Sequence, residues 1–364
     1  MIRTEVPRTE FWHPTRERPS AGIVILGNGA LAATLHRELD GAAPPAAEAA
    51  RNGRGEGAML STSAYRNGNG RTPTAMRSAR SSGASEELSS ERLRDLIRAG
   101  RVSRIVITEP NAYGAADIAS TLIEGKLLGI EIEEAADFYE HRHHKVWLDA
   151  VRPDWLIFCD GFHFSARHDR LKRWLDIVCA AALLVLAAPI LLLIALAIKL
   201  ESRGPVLFAQ DRVGKDGDTF MMYKFRSMRH DAEQDTGPMW ARDVDDRVTR
   251  VGRILRRLHL DEVPQVINVL RGDMTFVGPR PERPCFVRML GEQIPYYDLR
   301  HYIKPGITGW AQVSYDYGNS IEDAYEKLQY DLYYAKHASV WFDVFILLRT
   351  IKVVIFGLDH RQDG

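Results

Sequence analysis

The chain has 364 residues, which suits two or three domains and allows a sizeable core. Its 48 Lys and Arg balance its 48 Asp and Glu, so overall charge points to no particular partner, and nucleic acid is not among those expected. Cys159, Cys179 and Cys285 lie far apart with no metal-ligand spacing, which fits a reducing compartment and argues against a disulfide framework.

Residues 1–20 form a polar tail with Pro7, Pro14 and Pro19, without the apolar stretch of a signal peptide. Ile23-Val24-Ile25-Leu26 reads as a buried strand entering the turn Gly27-Asn28-Gly29-Ala30, with a helix over 31–39. That is the opening of a doubly wound unit, although the third glycine of the dinucleotide fingerprint is missing. Residues 41–90, rich in Gly, Ala, Ser and Arg, read as a low-complexity insert. Beyond it, Leu93, Leu96 and Ile97 make a helical stripe, 104–108 a strand, 115–127 a helix and 129–132 a short strand. Such alternation predicts a parallel sheet, so 21–162, minus the insert, reads as a Rossmann-like α/β domain. Trp155-Leu156-Ile157-Phe158 reads as its last strand or as a docking segment.

From Ile177 to Ile198 no charged or strongly polar residue occurs, a run of about 22 residues that could cross a bilayer core if straight. Pro189 argues for a break, since a mid-helix proline removes one backbone hydrogen bond at a cost of about 3 kcal/mol. Arg170, Lys172 and Arg173 precede the run and Lys199 and Arg203 follow it, so both ends carry the positive charge that favours the cytoplasmic side. A re-entrant membrane helix over 168–203, broken at Pro189, satisfies both observations. A kinked spanning helix is the alternative.

The remaining chain, 204–358, is polar and rich in motifs. Lys224-Phe225-Arg226-Ser227-Met228, Asp261-Glu262-Val263-Pro264-Gln265, Val277-Gly278-Pro279-Arg280-Pro281 and Lys304-Pro305-Gly306-Ile307-Thr308-Gly309-Trp310-Ala311-Gln312 follow in that order. In these motifs the chain resembles the bacterial sugar transferases, the polyprenyl-phosphate hexose-1-phosphate transferases or monotopic phosphoglycosyl transferases, over about residues 168–358. The resemblance implies a mostly α-helical α+β catalytic domain in the bacterial inner membrane, facing the cytoplasm. It implies transfer of a sugar 1-phosphate from a UDP-sugar to undecaprenyl phosphate at the start of exopolysaccharide or other surface glycan assembly. It also implies Mg2+, with Asp261 as nucleophile, as the residue that forms a covalent phosphosugar intermediate and as the metal contact, and Glu262 in support. Many relatives carry Ser before the membrane proline, where this chain has Ala188.

The residues support that division of roles. An attacking carboxylate must stay ionised beside a diphosphate, and Arg256 and Arg257, one turn upstream, favour the charged form. Pro264 is tolerated in a first helical turn, which places Asp261 near a helix start, favourable to carboxylate and phosphate alike. A divalent cation would screen the remaining negative charge. Lys224 and Arg226, alternating with Phe225, and Arg280, held between two prolines, are the phosphate-binding candidates together with Arg256.

His141, His143 and His144 read as a basic surface near lipid head groups rather than a metal site. Asp331, Tyr334 and Asp343 match family positions and read as structural, while 344–356 suits an amphipathic interfacial helix. Two other readings compete: a membrane-anchored nucleotide-binding scaffold without catalysis, and a nicotinamide-dependent enzyme built on the first domain. The sugar and the oligomeric state, a homodimer among the options, stay open.

Overall fold

The computed structural model describes residues 22–27, 30–39, 60–63, 90–109, 116–162, 166–229, 246–315, 318 and 320–356. The tail 1–20, the Asn28-Gly29 half of the Gly-rich turn and most of the insert fall outside these. The chain divides into two units, Met1–Phe138 and Tyr139–Gly364.

The first unit is a four-stranded sheet in the order β2-β1-β3-β4. Strands β1 (Gly22–Leu26), β3 (Val102–Ile107) and β4 (Glu131–Glu134) run parallel, and β2 (Leu60–Ser63) adds an antiparallel edge to β1. The parallel strands alternate with helices α1 (Ala30–Leu39), α2 (Ser90–Arg98) and α3 (Ala116–Leu127). The expected stripe on α2 is inward, with Leu93 and Ile97 packed against Val24, Leu26, Ile105 and Leu122. β2 lies inside the stretch read as an insert. At Gly27, whose φ is +127°, a Cβ would meet Thr108 Oγ1 at 2.2 Å, so tight packing alone accounts for that glycine.

The chain passes from one unit to the other within α4 (Ala135–His143), earlier than the boundary near residue 162 that the sequence suggests. Residues 139–162 are tied into the second unit by polar contacts. Val146 N donates to Gln329 O, Trp310 Nε1 donates to His144 O, and Glu140 binds Lys336 and His337. The segment around Trp155 is not a strand but a short helix, α5 (Pro153–Phe158), because Pro153 at its first position starts a helix readily. It docks as the second reading expects: Trp155 is buried, with Lys336 Nζ 4.6 Å from its ring centroid.

Helix α6 (Ala166–Glu201) is the one helix among the described residues long and apolar enough to cross a membrane. It continues through Pro189 without a break in helical structure. A proline removes a single ladder bond, and the flanking bonds keep the helix going. The rest of the second unit holds α6 near both ends. Towards its start, Ala180 and Leu184 pack on Met222, Val266 and Val269, and Asp176 accepts from Thr275 Oγ1 and Phe276 N. Towards its end, Ile194 and Ile198 pack on Phe225 and Leu255, and Glu201 accepts from Arg250 N and Val251 N. Most of 181–193, between these anchors, is exposed.

After α6 come the hairpin β5 (Leu207–Val213) and β6 (Thr219–Phe225), then α7 (Arg250–Arg257), a 3-10 turn Leu260–Gln265 and α8 (Val266–Arg271). Strand β7 (Thr275–Val277) pairs in parallel with β8 (Gly306–Thr308). Helices α9 (Pro284–Gln293), α10 (Trp310–Ser314), α11 (Ile321–His337) and α12 (Val340–Phe356) complete the unit. Trp310 is core, among Tyr330, Phe342 and Ile346.

Candidate active site

Asp261 sits on the second residue of the 3-10 turn Leu260–Gln265, which follows His259 in a left-handed conformation and runs directly into α8. The left-handed residue ends α7 and redirects the chain, so Asp261 turns inward while Arg257 stays exposed. Strand β6 lies alongside this turn. Asn268, fully buried on α8, fixes the register by accepting from Tyr223 N at 3.1 Å and donating to Met221 O at 2.7 Å. That clamp delivers Lys224 to Glu262.

Glu262 is the hub. Its Oε1 accepts from Lys224 Nζ at 2.8 Å and from Arg280 Nη2 at 2.5 Å, and its Oε2 accepts from Arg280 Nη1 at 3.3 Å. Burial opposes its ionisation, but Arg280 and Lys224 more than offset this and hold Glu262 well below the usual carboxylate range. Lys224 is pulled below the usual lysine range by burial, with Glu262 working against the shift and Arg280 with it.

Asp261 is the opposite case. It is buried, yet it forms no ion pair with any described residue. Burial and then the neighbouring Glu262 charge raise its pKa, while Lys224 and Arg256 pull the other way. The two adjacent acids are therefore pushed apart: one is locked as a carboxylate, and the other is a basic carboxylate poised between cations.

Of the sequence candidates, Lys224 and Arg280 come together on Glu262, beside Asp261 in the chain, and Lys224 and Arg256 bring their charges to bear on Asp261, with Arg256 also donating through Nε to Ser227 Oγ at 2.9 Å. Arg226 takes a different place. β6 ends at Phe225, so Arg226 lies just past the strand and donates at 2.9 Å to both the carbonyl and the hydroxyl of Ser202, bracing the exit of α6. Its Nη1 is buried without a hydrogen-bond partner.

The remaining motifs explain themselves as a frame for Arg280. The Val277–Pro281 segment leaves the end of β7 and stays bonded to β8 in the Lys304–Gln312 segment, through Gly278 N to Thr308 O and Gly306 N to Pro279 O. A Cβ on Gly306 would fall 2.1 Å from Gly278 N, so only glycine allows this approach. Arg300 Nη2 donates to Arg280 O at 3.0 Å and to Asp331 Oδ2 at 2.7 Å. Arg300 and Asp331 are both buried, so the main-chain carbonyl of Arg280 is held by a buried ion pair. Sequence reading missed Asn268 and Arg300; neither stands out by type or spacing, since their role depends on which strand and loop reach them.

No cluster of three or more His, Cys, Asp or Glu able to hold a metal occurs among the described residues. The donor set still suits a hard cation. Asp261 supplies one oxygen ligand free of ion pairs, and Mg2+ commonly takes one or two carboxylates and completes its shell with substrate phosphates and water.

The profile of the bacterial sugar transferase family matches residues 167–357. Over 191 residues the chain is 47% identical to a UDP-N-acetylgalactosamine-undecaprenyl-phosphate N-acetylgalactosaminephosphotransferase of Aeromonas hydrophila, covering 52% of this chain and 45% of that protein. It is 47% identical over 183 residues to the UDP-glucose:undecaprenyl-phosphate glucose-1-phosphate transferase of Escherichia coli (strain K12), 50% of this chain and 39% of that protein. A protein of the same description from Caulobacter vibrioides is 48% identical over 189 residues, 51% of this chain and 70% of that protein. The match thus spans less than half of the Aeromonas and Escherichia proteins. With the profile covering more than half of its length, the chain belongs to the bacterial sugar transferase family.

Proposed function

We propose that the chain is a membrane phosphoglycosyl transferase that moves a sugar 1-phosphate from a UDP-sugar to undecaprenyl phosphate and so starts assembly of an exopolysaccharide or other surface glycan. The observation that carries this reading is the asymmetry of the acid pair: Glu262 is spent on Lys224 and Arg280, and Asp261 beside it is unspent. A carboxylate of raised basicity, surrounded by cations that can receive a phosphate, is suited to nucleophilic catalysis.

In this mechanism an Asp261 oxygen attacks the phosphorus that bears the sugar, and the bond to UMP breaks. UMP leaves with the bonding electrons, and the sugar phosphate remains as an acyl phosphate on Asp261. The phosphate oxygen of undecaprenyl phosphate then attacks the same phosphorus and releases Asp261. Lys224 and Arg280, fixed by Glu262, neutralise charge that builds up on the transferring phosphoryl group. Mg2+, held by Asp261 together with substrate phosphates, would screen the charge of the diphosphate.

The membrane reading is a re-entrant α6 on the cytoplasmic face of the inner membrane. A straight helix of 36 residues is about 54 Å long, well beyond a core of roughly 30 Å, and would carry its ends to opposite sides. Both ends here are anchored to one unit, and the exposed apolar stretch between them contains Pro189. The first unit fits a Rossmann-like accessory domain, since three parallel strands alternate with helices.

The test is UMP release from UDP-N-acetylgalactosamine and UDP-glucose with undecaprenyl phosphate and Mg2+, wild type against Asp261→Asn. Donor-specific release that vanishes in the variant supports the reading. Release that persists in the variant removes Asp261 as nucleophile. Absence of any Asp261-dependent release favours the scaffold.

A further inference from the structure

The end of α8 remote from Asp261 carries a second convergence of charge. Helical backbone runs from Leu260 through Arg271, with Gln265 and Val266 at the join both right-handed helical. At about 1.5–2.0 Å per residue, Gly272 lies roughly 17–22 Å from Asp261, too far for one phosphate to touch both. Gly272 has a φ of +96°, and a Cβ built on it would sit 3.4 Å from Arg173 Nη2 and 3.7 Å from Lys304 Nζ. Two cationic heads therefore border the same small space above a residue without a side chain.

The carboxylates nearby have contacts of their own. Arg173 caps α8, donating to Val269 O and, at 2.7 Å, to Leu270 O. Asp176 accepts from Thr275 and Phe276, Asp273 accepts from Asn268, and Asp169 lies beside His168. Lys304 forms no ion pair or side-chain hydrogen bond among the described residues. Burial, Arg173 and Lys215 hold it below the usual lysine range, and Asp176 and Asp169 offset only part of this. Lys215, whose charge bears on Lys304, lies on the β5–β6 turn and is exposed.

The cluster also stands at a defined height. Arg173 precedes the exposed apolar run of α6, which begins at Ile177, by one helical turn. With α6 in the bilayer, as read above, this is the level of lipid head groups.

We propose that Arg173, Lys304 and Lys215 bind the phosphate of an anionic phospholipid head group, docking this corner of the catalytic unit on the membrane at a site separate from Asp261. Guanidinium and ammonium groups hold phosphate oxygens through charge-assisted hydrogen bonds, and the surplus of cations selects anionic over zwitterionic lipid.

The experiment uses the full chain in phosphatidylcholine vesicles with or without phosphatidylglycerol. Lipid retained after extraction and the unfolding temperature are measured for wild type and for Lys304→Gln combined with Lys215→Gln. Wild type is expected to retain phosphatidylglycerol and to unfold at a higher temperature in its presence. The variant is expected to lose both, with affinity about five-fold weaker for each cation removed. The far-UV circular dichroism of the variant and its unfolding transition in pure phosphatidylcholine vesicles are expected to match wild type, which shows that the variant folds. Equal retention and equal stabilisation in wild type and variant would overturn the proposal. So would an equal gain on adding inorganic phosphate to pure phosphatidylcholine vesicles, since the site would then take free phosphate. A protein without Asp261-dependent turnover but with cation-dependent phosphatidylglycerol retention would sink the catalytic reading and leave this site standing.

Discussion

Glu262 and Asp343 are both carboxylates gripped by a lysine inside the second unit, and the two grips differ. Lys172 Nζ contacts Asp343 Oδ2 at 2.5 Å, Val277 O at 3.0 Å and Tyr334 Oη at 3.2 Å, while the Tyr334 hydroxyl reaches Asp343 Oδ1 at 2.6 Å. All three ammonium N–H groups and both carboxylate oxygens are used, so nothing remains for a ligand. Around Glu262 the carboxylate is equally saturated, but Lys224 has one described ion-pair partner and keeps N–H donors in reserve. Beside it, Asp261 has no ion pair with any described residue. A buried ion cluster whose members are all satisfied fastens helices α6, α11 and α12 together; one with unspent groups has capacity for a substrate.

Substitutions can break that comparison. The largest effect is expected from Asp261→Asn, which removes the attacking oxygen's charge and should cut turnover by at least about 10⁴-fold, as for other nucleophiles that act within a unit. Its unfolding temperature should stay close to wild type, because no ion pair is lost. Glu262→Gln should come next. It weakens two charge-assisted contacts and leaves Lys224 and Arg280 under-compensated, so turnover should fall about 10²-fold. Thermal unfolding should show a loss of stability alongside it. Asp343→Asn should reverse the balance: removing one partner of a buried pair costs about 3 kcal/mol, visible in denaturant unfolding, while turnover per folded molecule changes by less than about threefold. If Asp343→Asn instead abolished turnover at unchanged stability, the division between fastening and catalytic clusters would fail.

The sequence revealed these two clusters unequally. The Asp261-Glu262 pair, Lys224 and Arg280 were legible because each lies in a dense local motif and their chemistry is carried by residue type. Strands β1, β3 and β4 and helices α1 to α3 were legible from periodicity, and the apolar run of α6 from composition. Arg226 was misleading because alternation places it beside Lys224 only if the strand continues, and β6 stops one residue earlier. The fastening role of Lys172 was hidden for a different reason. It reads as one of several flanking cations of a membrane segment, and its partners lie more than a hundred residues away in sequence. The placement of 139–162 was similarly invisible, since a polar connection such as His144 O to Trp310 leaves no local pattern.

The smallest and sharpest prediction concerns Arg256. Its guanidinium is braced by Ser227 Oγ and is one of two cations that favour ionised Asp261 against burial and the Glu262 charge. Because the folded-state pKa of Asp261 is raised, the reactive carboxylate is present above that pKa and lost as pH falls through it. The acid limb of the rate profile should therefore lie at higher pH than an ordinary aspartate would give. Arg256→Gln keeps a hydrogen-bond donor for Ser227 and deletes the charge, so it should move this limb to still higher pH while the plateau above it changes little. A purely structural Arg256 would behave otherwise: the plateau would drop and the limb would stay in place. A pH series of UMP release for wild type and Arg256→Gln, at constant ionic strength, separates the two. An unmoved limb would mean that Asp261 owes its ionisation to Lys224 alone, and the site would then hold one activating cation instead of two.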